Sequence, residues 1–544
     1  MRTAVRTAAI GGNALHAPPH TRTALTSAYV QGADVLVFDI ALTADGRVVP
    51  GSAHGLTRQA GSAAAVGELT LTRLRALDLG TAFRPRGSPD FRYRPPGHAP
   101  VRAEALDDLV DALPDDLVYV VRVGGEGADP VDAVVRLFAR RAAAARLVVA
   151  APGPGPLRRA RELAPEVGTG LTGPPAADGS GSSPGPAALD TAIRDGGLDL
   201  VLAAVGDLVG PDGRPTELGR RLDGATRSGS VRRGALVLPE PGRGRDGYAL
   251  AAAQPYTWAV GTESTFDSAE VLRPGTPVVE ESFAGTRTDT RRFAFGYAKA
   301  NRHCHVFQDD GVHVRITPYP GDPQPPRPAD PIERRLAELE ERSWYALGDW
   351  PFYSGGGFGV TRGLRGDFAA EVRIESAVAA QATMCEMAVV NADPGTHHPP
   401  FRADGSPFFP GSARDKDAFY DPHGAPPFVG AEHDENDGYR INWNLGTLYD
   451  TNQYGPPVGD GRVLAARLRL ERRGPYFAAY TRNDIDAHDW VCVGAVRNDS
   501  MNPTVYLRCV GKRWRQEDAD DPTRFVPIPA NEFVFRDLRI VRIF

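Results

Sequence analysis

Two acidic residues, Asp39 and Glu263, adjoin the apolar runs 35–40 and 257–262. Two carboxylates held about 5–9 Å apart are the apparatus of glycoside hydrolysis. His20 and His54 add groups that exchange protons near neutral pH. Arg58 and Arg122 carry planar guanidinium groups able to grip a phosphate or carboxylate with paired hydrogen bonds, and Trp258 offers an aromatic face. The catalytic candidates are therefore Asp39, Glu263 and His54, and the first substrate-binding candidates are His20, Arg58, Arg122 and Trp258. The same residues also allow a plainer arrangement. Asp39 would then pair with Arg122 or Arg58, His54 would sit solvated in a loop, and Glu263 would be a rim residue.

A second group lies far along the chain. Asn442, Trp443, Tyr449, Asn452, Tyr480 and Arg482 mix aromatic rings with planar amides. Sugars are bound that way, by stacking on their apolar faces and hydrogen bonding to their hydroxyls. Strand alternation sends Tyr439, Ile441 and Trp443 to one face and Arg440 and Asn442 to the other. The competing role for Trp443, Tyr480 and Trp490 is to fill the inner faces of packed sheets.

Just before that group, the insertion 392–438 gathers His397, His398, Asp415, Asp417, Asp421, His423, His433, Asp434, Glu435 and Asp437. Oxygen ligands of this kind suit Ca2+, although a run of acidic loop residues is also simply solvated. Zinc is not expected, since there is no HExxH or tight His spacing. The four cysteines, Cys304, Cys385, Cys492 and Cys509, show no CxxC pattern. Apart from that Ca2+ possibility, no cofactor is expected.

These residues need elements to hold them. Over residues 1–275, short apolar runs alternate with Ala-, Leu- and Arg-rich segments, the rhythm of a β/α barrel. Strands are predicted at 7–10, 35–40, 117–123, 147–151, 168–172, 198–203, 235–239 and 257–262, with the clearest helices at 131–145 and 157–163. In such a barrel the ligand site lies at the C-terminal ends of the strands. From residue 276 helical periodicity fades and short alternating runs are spaced by Gly, Asn and Asp, which predicts an all-β sandwich over 276–544. A Pro-rich stretch and a helix over 332–347 form a linker at 318–347 within it. The fold class is thus α/β plus all-β.

The stretch Gly32-Ala33-Asp34, then Asp39, then Thr43-Ala44-Asp45-Gly46-Arg47-Val48-Val49 resembles the second barrel strand of the glycerophosphodiester phosphodiesterase family. The likeness extends through 69–79, 147–165 and 258–274, and implies a (β/α)8 TIM barrel. At the family's working positions this chain departs from it. Val37 stands where the family has a metal-binding Glu, and Val120, beside Arg122, stands for the Glu of its Glu-x-Lys strand. Ile10-Gly11-Gly12 replaces His-Arg-Gly, Pro19-His20-Thr21 replaces Glu-Asn-Thr, and Pro50-Gly51-Ser52 follows Val48-Val49 in place of His-Asp. His54 lies just beyond as a possible shifted replacement. The segments 355–358, 366–374, 438–443 and 468–480 resemble the concanavalin A-like jelly-roll superfamily, which implies a carbohydrate-binding type of sandwich.

The resemblance and the losses together lead to three expectations. The first is a degenerate barrel joined to a sandwich that binds a glycan, sugar phosphate or glycolipid without metal-dependent hydrolysis. The second is an enzyme of altered chemistry, a glycoside or sugar-phosphate hydrolase at the barrel mouth. The third is a divergent phosphodiesterase using His20, His54 and Asp39.

Composition narrows the partners. At 544 residues the chain exceeds the ~250–300 residues at which single cores stop growing. A net charge of −6 gives no basic face for nucleic acid. No run approaches the ~18 apolar residues of a membrane span, and the N-terminus lacks the apolar core of a signal peptide. A cytoplasmic protein with a carbohydrate or sugar-phosphate ligand is expected, its oligomeric state left open.

Overall fold

The computed structural model describes residues 5–85, 93, 99–124, 129–173, 183–194, 198–238, 244–262, 264–295, 304–321, 346–347, 350–351, 353–376, 382–391, 427–434, 438–445, 453–455, 458, 465–483, 489–514, 516, 518–521 and 524–543. The chain divides into two compact units, Met1–Arg84 with Ala99–Pro274, and Pro85–His98 with Gly275–Phe544. The expected boundary near 275 therefore has an exception: the segment Pro85–His98 groups with the second unit. Tyr93 shows why. Its ring is 1% exposed, and its hydroxyl donates to the Cys492 carbonyl at 2.7 Å.

The first unit is a closed barrel of eight parallel strands. In chain order these are β1 (Arg6–Ile10), β2 (Val35–Leu42), then, after the short hairpin strand β3 (Val48–Pro50), β4 (Val118–Arg122), β5 (Leu147–Ala151), β6 (Gly168–Leu171), β7 (Leu198–Ala204), β8 (Val231–Leu238) and β9 (Thr257–Thr262). β1 closes the ring by pairing with both β2 and β9. The interior is filled by Ala8, Val35, Val37, Val120, Val148, Ala150, Leu200, Leu202, Leu236 and Ala259. Small and β-branched residues dominate this list because every inward-facing residue shares a narrow lumen.

The Thr-x-Asp-Gly motif after β2 builds the turn into β3. The Thr43 hydroxyl donates to Asp45 Oδ1 at 2.6 Å and accepts from the Arg47 amide, while Gly46 takes φ 73°. Asp45 Oδ1 also accepts from the Leu71 amide at 2.9 Å, at the start of the helix Leu71–Arg75. The motif thus sets the geometry of a turn and a helix start, and needs no ligand to explain it.

The second unit is a β-sandwich of two antiparallel sheets. One runs Cys304–Gln308, Val312–Ile316, Asn531–Arg542, Phe368–Ser376, Ala465–Arg473, Tyr476–Asn483 and Val491–Arg497, with Thr276–Glu281 beside Asn531–Arg542. The other runs Phe293–Phe295, Tyr353–Val360, Thr504–Trp514, Thr383–Asn391, Phe428–Asp434, Gly438–Asn444 and Gln453–Tyr454, with Leu364–Arg365 beside Thr504–Trp514. The sheets touch closely at glycines. A Cβ on Gly511 would come within 2.3 Å of Phe533, and one on Gly494 within 2.3 Å of Ile441.

Two expectations change here. Ala346–Leu347, expected to end a helix, pairs as a strand with Trp350–Pro351, while 332–345 lies outside the described residues. The insertion expected over 392–438 contains the strand Phe428–Asp434, so His433 and Asp434 are sheet residues rather than loop residues. Cross-strand hydrogen bonding to both neighbours decided that, and local composition did not reveal it. All four cysteines are free, three of them buried.

Candidate functional site

The mouth of the barrel starts with the loop after β1. Gly11 and Gly12 take φ values of 66° and 88°, and a Cβ on Gly12 would press within 2.6 Å of the Ala24 backbone. Only glycine fits such a left-handed, crowded position. The tight loop lets the Gly11 amide donate to the Val37 carbonyl at 2.8 Å, and the His20 amide to the Gly11 carbonyl at 2.9 Å. His20 itself has φ 65°, an uncommon conformation for a residue with a side chain. Its ring lies against Gly11 and Gly51, where Cβ atoms would sit 3.1 Å and 3.5 Å away. His20 Nδ1 is buried with no hydrogen-bond partner among the described residues. Burial, and then the positive charge of Arg122, lower its pKa to about 4, so the ring is neutral at physiological pH.

Asp39 and Arg122 face each other across the β2–β4 register. Arg122 Nη2 donates to Asp39 Oδ2 at 3.1 Å, and Nε lies 2.9 Å from Oδ1, an ion-pair distance with poor hydrogen-bond alignment. The plainer arrangement of Asp39 is therefore the one found, with Arg122 as partner. Arg58 is exposed and its Nε donates to the His54 carbonyl at 3.2 Å. His54 is exposed at the start of the helix Gly55–Gln59.

Val37 and Val120 are both interior. They are 1% and 0% exposed and belong to the apolar cluster that fills the lumen, with Ile10 packed against it. A divalent hard cation needs several oxygen ligands, some of them anionic. Two of the three aligned positions supply methyl groups, and the third carboxylate is engaged by a guanidinium. The described residues at this mouth do not fit the metal that the family resemblance implies. Among the described residues, no group of three His, Cys, Asp or Glu could hold a metal ion.

Trp258 requires a correction. It is the second residue of β9 and stands beside Arg6, the first residue of β1, so it lies at the N-terminal end of the barrel. The Arg6 and Arg233 guanidinium groups each lie 5.5 Å from its ring centre. Parallel strands bring all their N-termini to one end of the barrel, and that end is opposite the mouth. Glu263 lies outside the described residues.

Sequence reasoning missed the network that ties the mouth loops together. Asn13 Nδ2 donates to Gln31 Oε1 at 3.1 Å, and the Thr265 amide donates to Asn13 Oδ1 at 3.3 Å. His16 Nε2 and Ser264 Oγ are 2.9 Å apart. The Asn13–Thr265 and His16–Ser264 contacts each join residues more than 200 positions apart in sequence, and no local pattern announces them.

Comparison with known proteins agrees with this barrel. Residues 11–120 match the model of the glycerophosphoryl diester phosphodiesterase family. Among solved structures, a glycerophosphodiester phosphodiesterase from Agrobacterium tumefaciens is 15% identical, with a TM-score of 0.37, over 48% of this chain and 98% of that one. A phosphodiesterase from Oleispira antarctica, determined with the product sn-glycerol-3-phosphate, is 14% identical with a TM-score of 0.38, over 49% of this chain and 97% of that one. No curated protein matches. The segment matched to the family model includes Gly32 to Val49, where the turn-building residues are kept, and it includes Val37 and Val120.

In the sandwich, the register puts Arg440 opposite Glu432 and Asn442 opposite Gly430. Asn442 is 2% exposed, and its Nδ2 donates to Glu432 Oε2 at 2.6 Å. Arg440 Nε donates to Glu432 Oε1 at 2.8 Å, and its Nη2 reaches Asp434 Oδ2 at 3.1 Å. Burial pushes Glu432 up to about 7, against the opposing pull of Arg440. Trp443 is partly exposed on the face opposite Asn442, and Arg482 is exposed. Tyr480 is corrected: it is fully buried, so it is interior packing rather than a ligand contact. Tyr449, Asn452 and residues 392–426 lie outside the described residues.

Proposed function

We propose that this chain is a ligand-binding protein whose barrel holds a sugar phosphate or phosphate-bearing polyol at its mouth without the family's metal-dependent phosphodiester hydrolysis, and whose sandwich binds carbohydrate. One observation carries the first half. Val37 and Val120 are structural members of the lumen core, so the positions that would hold a cation hold packing instead. Arg122, paired with Asp39, remains as a guanidinium for an anion. The polar face around Asn442 and Glu432 supports the second half. Cytoplasmic residence is part of the same proposal. No helix among the described residues is long and apolar enough to cross a membrane.

The test is turnover of glycerophosphocholine and bis(p-nitrophenyl) phosphate in Mg2+, Ca2+ or EDTA, for wild type and Asp39→Ala. No turnover in any condition is expected. Metal-dependent turnover lost in Asp39→Ala would establish an active phosphodiesterase and overturn the proposal.

A further inference from the structure

The N-terminal end of the barrel carries a pair of cations remote from the mouth. β9 lies between β1 and β8 in the barrel. Trp258 stands on β9, Arg6 on β1 beside Ala259, and Arg233 on β8 two residues before Ala235, which pairs with Thr257. Each flanking strand therefore sends one guanidinium to the same indole, both 5.5 Å from its ring centre. The two cations are at most twice that distance apart. The indole itself is fixed, because it packs against the apolar cluster of the lumen. The group is also open to solvent: Arg6 is exposed, and Arg233 and Trp258 are partly exposed.

Like charges repel at this range, and neither guanidinium has a hydrogen bond or an ion pair among the described residues. The acid whose charge reaches Arg233 is Asp199, and it is already taken up. Arg232 Nε and Nη2 donate to its two oxygens at 2.9 Å and 2.8 Å, and the Thr169 amide donates to Oδ2 at 2.7 Å. Burial lowers the pKa of Arg233; the charge of Asp199 opposes this, and those of Arg6 and Arg232 add to it. Attraction to the ring face offsets part of the repulsion, yet it leaves the in-plane N–H donors unused. None of the Arg233 nitrogens is sealed from solvent, so a ligand can reach them.

We propose that this end of the barrel binds a diphosphate, one phosphoryl group on each of Arg6 and Arg233, with Trp258 holding the two guanidinium planes in place. A guanidinium fork pairs with phosphate oxygens through two parallel hydrogen bonds. A diphosphate brings two such groups already joined, whereas two peptide carboxylates would have to be ordered separately. A single phosphate engages one guanidinium and leaves the other uncompensated, so it binds weakly here.

The experiment is isothermal titration calorimetry of the full chain with inorganic pyrophosphate. Every sample carries Arg122→Ala, so that the guanidinium at the mouth does not contribute, and folding is checked by circular dichroism. Saturable binding is expected, weakened about tenfold or more by Arg6→Gln and by Arg233→Gln. Arg6 is exposed, so Arg6→Gln reports on recognition even where Arg233→Gln disturbs its strand. ADP is titrated beside pyrophosphate: tighter binding of ADP assigns a nucleotide diphosphate, and equal or weaker binding a free one. Absence of pyrophosphate binding, or binding that both variants leave unchanged, would overturn the inference. Orthophosphate binding as tightly as pyrophosphate would overturn it too.

Discussion

Val37 and Val120 stand directly opposite each other on the adjacent parallel strands β2 and β4, and both point into the same sealed core. The pair occupies two positions where the family resemblance implies carboxylates. Replacing the carboxylates with valines exchanges two charges for about 1.5–3 kcal/mol of burial at each site. The barrel is held together at the level where the family resemblance implies chemistry.

Restoring one acid should be costly. Val120→Glu would bury a carboxylate among Val37, Val148 and Ala150 with no compensating cation. A loss of about 3–5 kcal/mol is expected, by analogy with an uncompensated buried charge. Urea denaturation followed by circular dichroism measures it. A loss under about 1 kcal/mol would show that the lumen is wetter than the packing implies.

Asp39 occupies the guanidinium that a bound anion would use. Asp39→Asn should therefore raise affinity for sn-glycerol 3-phosphate several-fold, and Arg122→Ala should abolish binding. Isothermal titration calorimetry reads both. Weaker binding in Asp39→Asn would mean that the carboxylate positions Arg122 for the ligand rather than competing with it.

His20 makes stability depend on acid. Its pKa falls from the ordinary 6.5 to about 4 in the folded chain, so the unfolded chain binds more protons between those values. Stability is fully present above pH 6.5 and is lost as pH falls toward 4. His20→Asn should flatten that slope in thermal melts from pH 4.5 to 7. An unchanged slope would show the ring to be solvated.

Glu432 acts in the opposite sense. Its pKa rises from 4.5 to about 7, so the folded chain binds the extra proton, and stability falls as pH rises between those values. Glu432→Gln should be less stable overall, because Arg440 loses one of its two acidic partners and keeps only Asp434, yet its melting temperature should no longer decline from pH 5 to 7. The two effects overlap and oppose each other, so the wild-type curve alone hides both. A decline that persists in Glu432→Gln would assign the titration to another group.

The sequence by itself determined the two architectures. Inward-facing valines and alanines at strand period, and the run from Gly32 to Val49, sufficed to place all eight barrel strands within a few residues of their positions. Local side-chain chemistry carries that information, because a strand's burial pattern and a turn's hydrogen bonds are set by neighbours in the chain. The loss of the aligned carboxylates was legible for the same reason. Tertiary structure alone decided which end of the barrel each residue occupies and which distant groups meet. It moved Trp258 to the far end, buried Tyr480, and tied Asn13 to Thr265. It brought Arg6, Arg233 and Trp258 together from three strands, because register across a sheet is a non-local property that the spacing within any one strand leaves free.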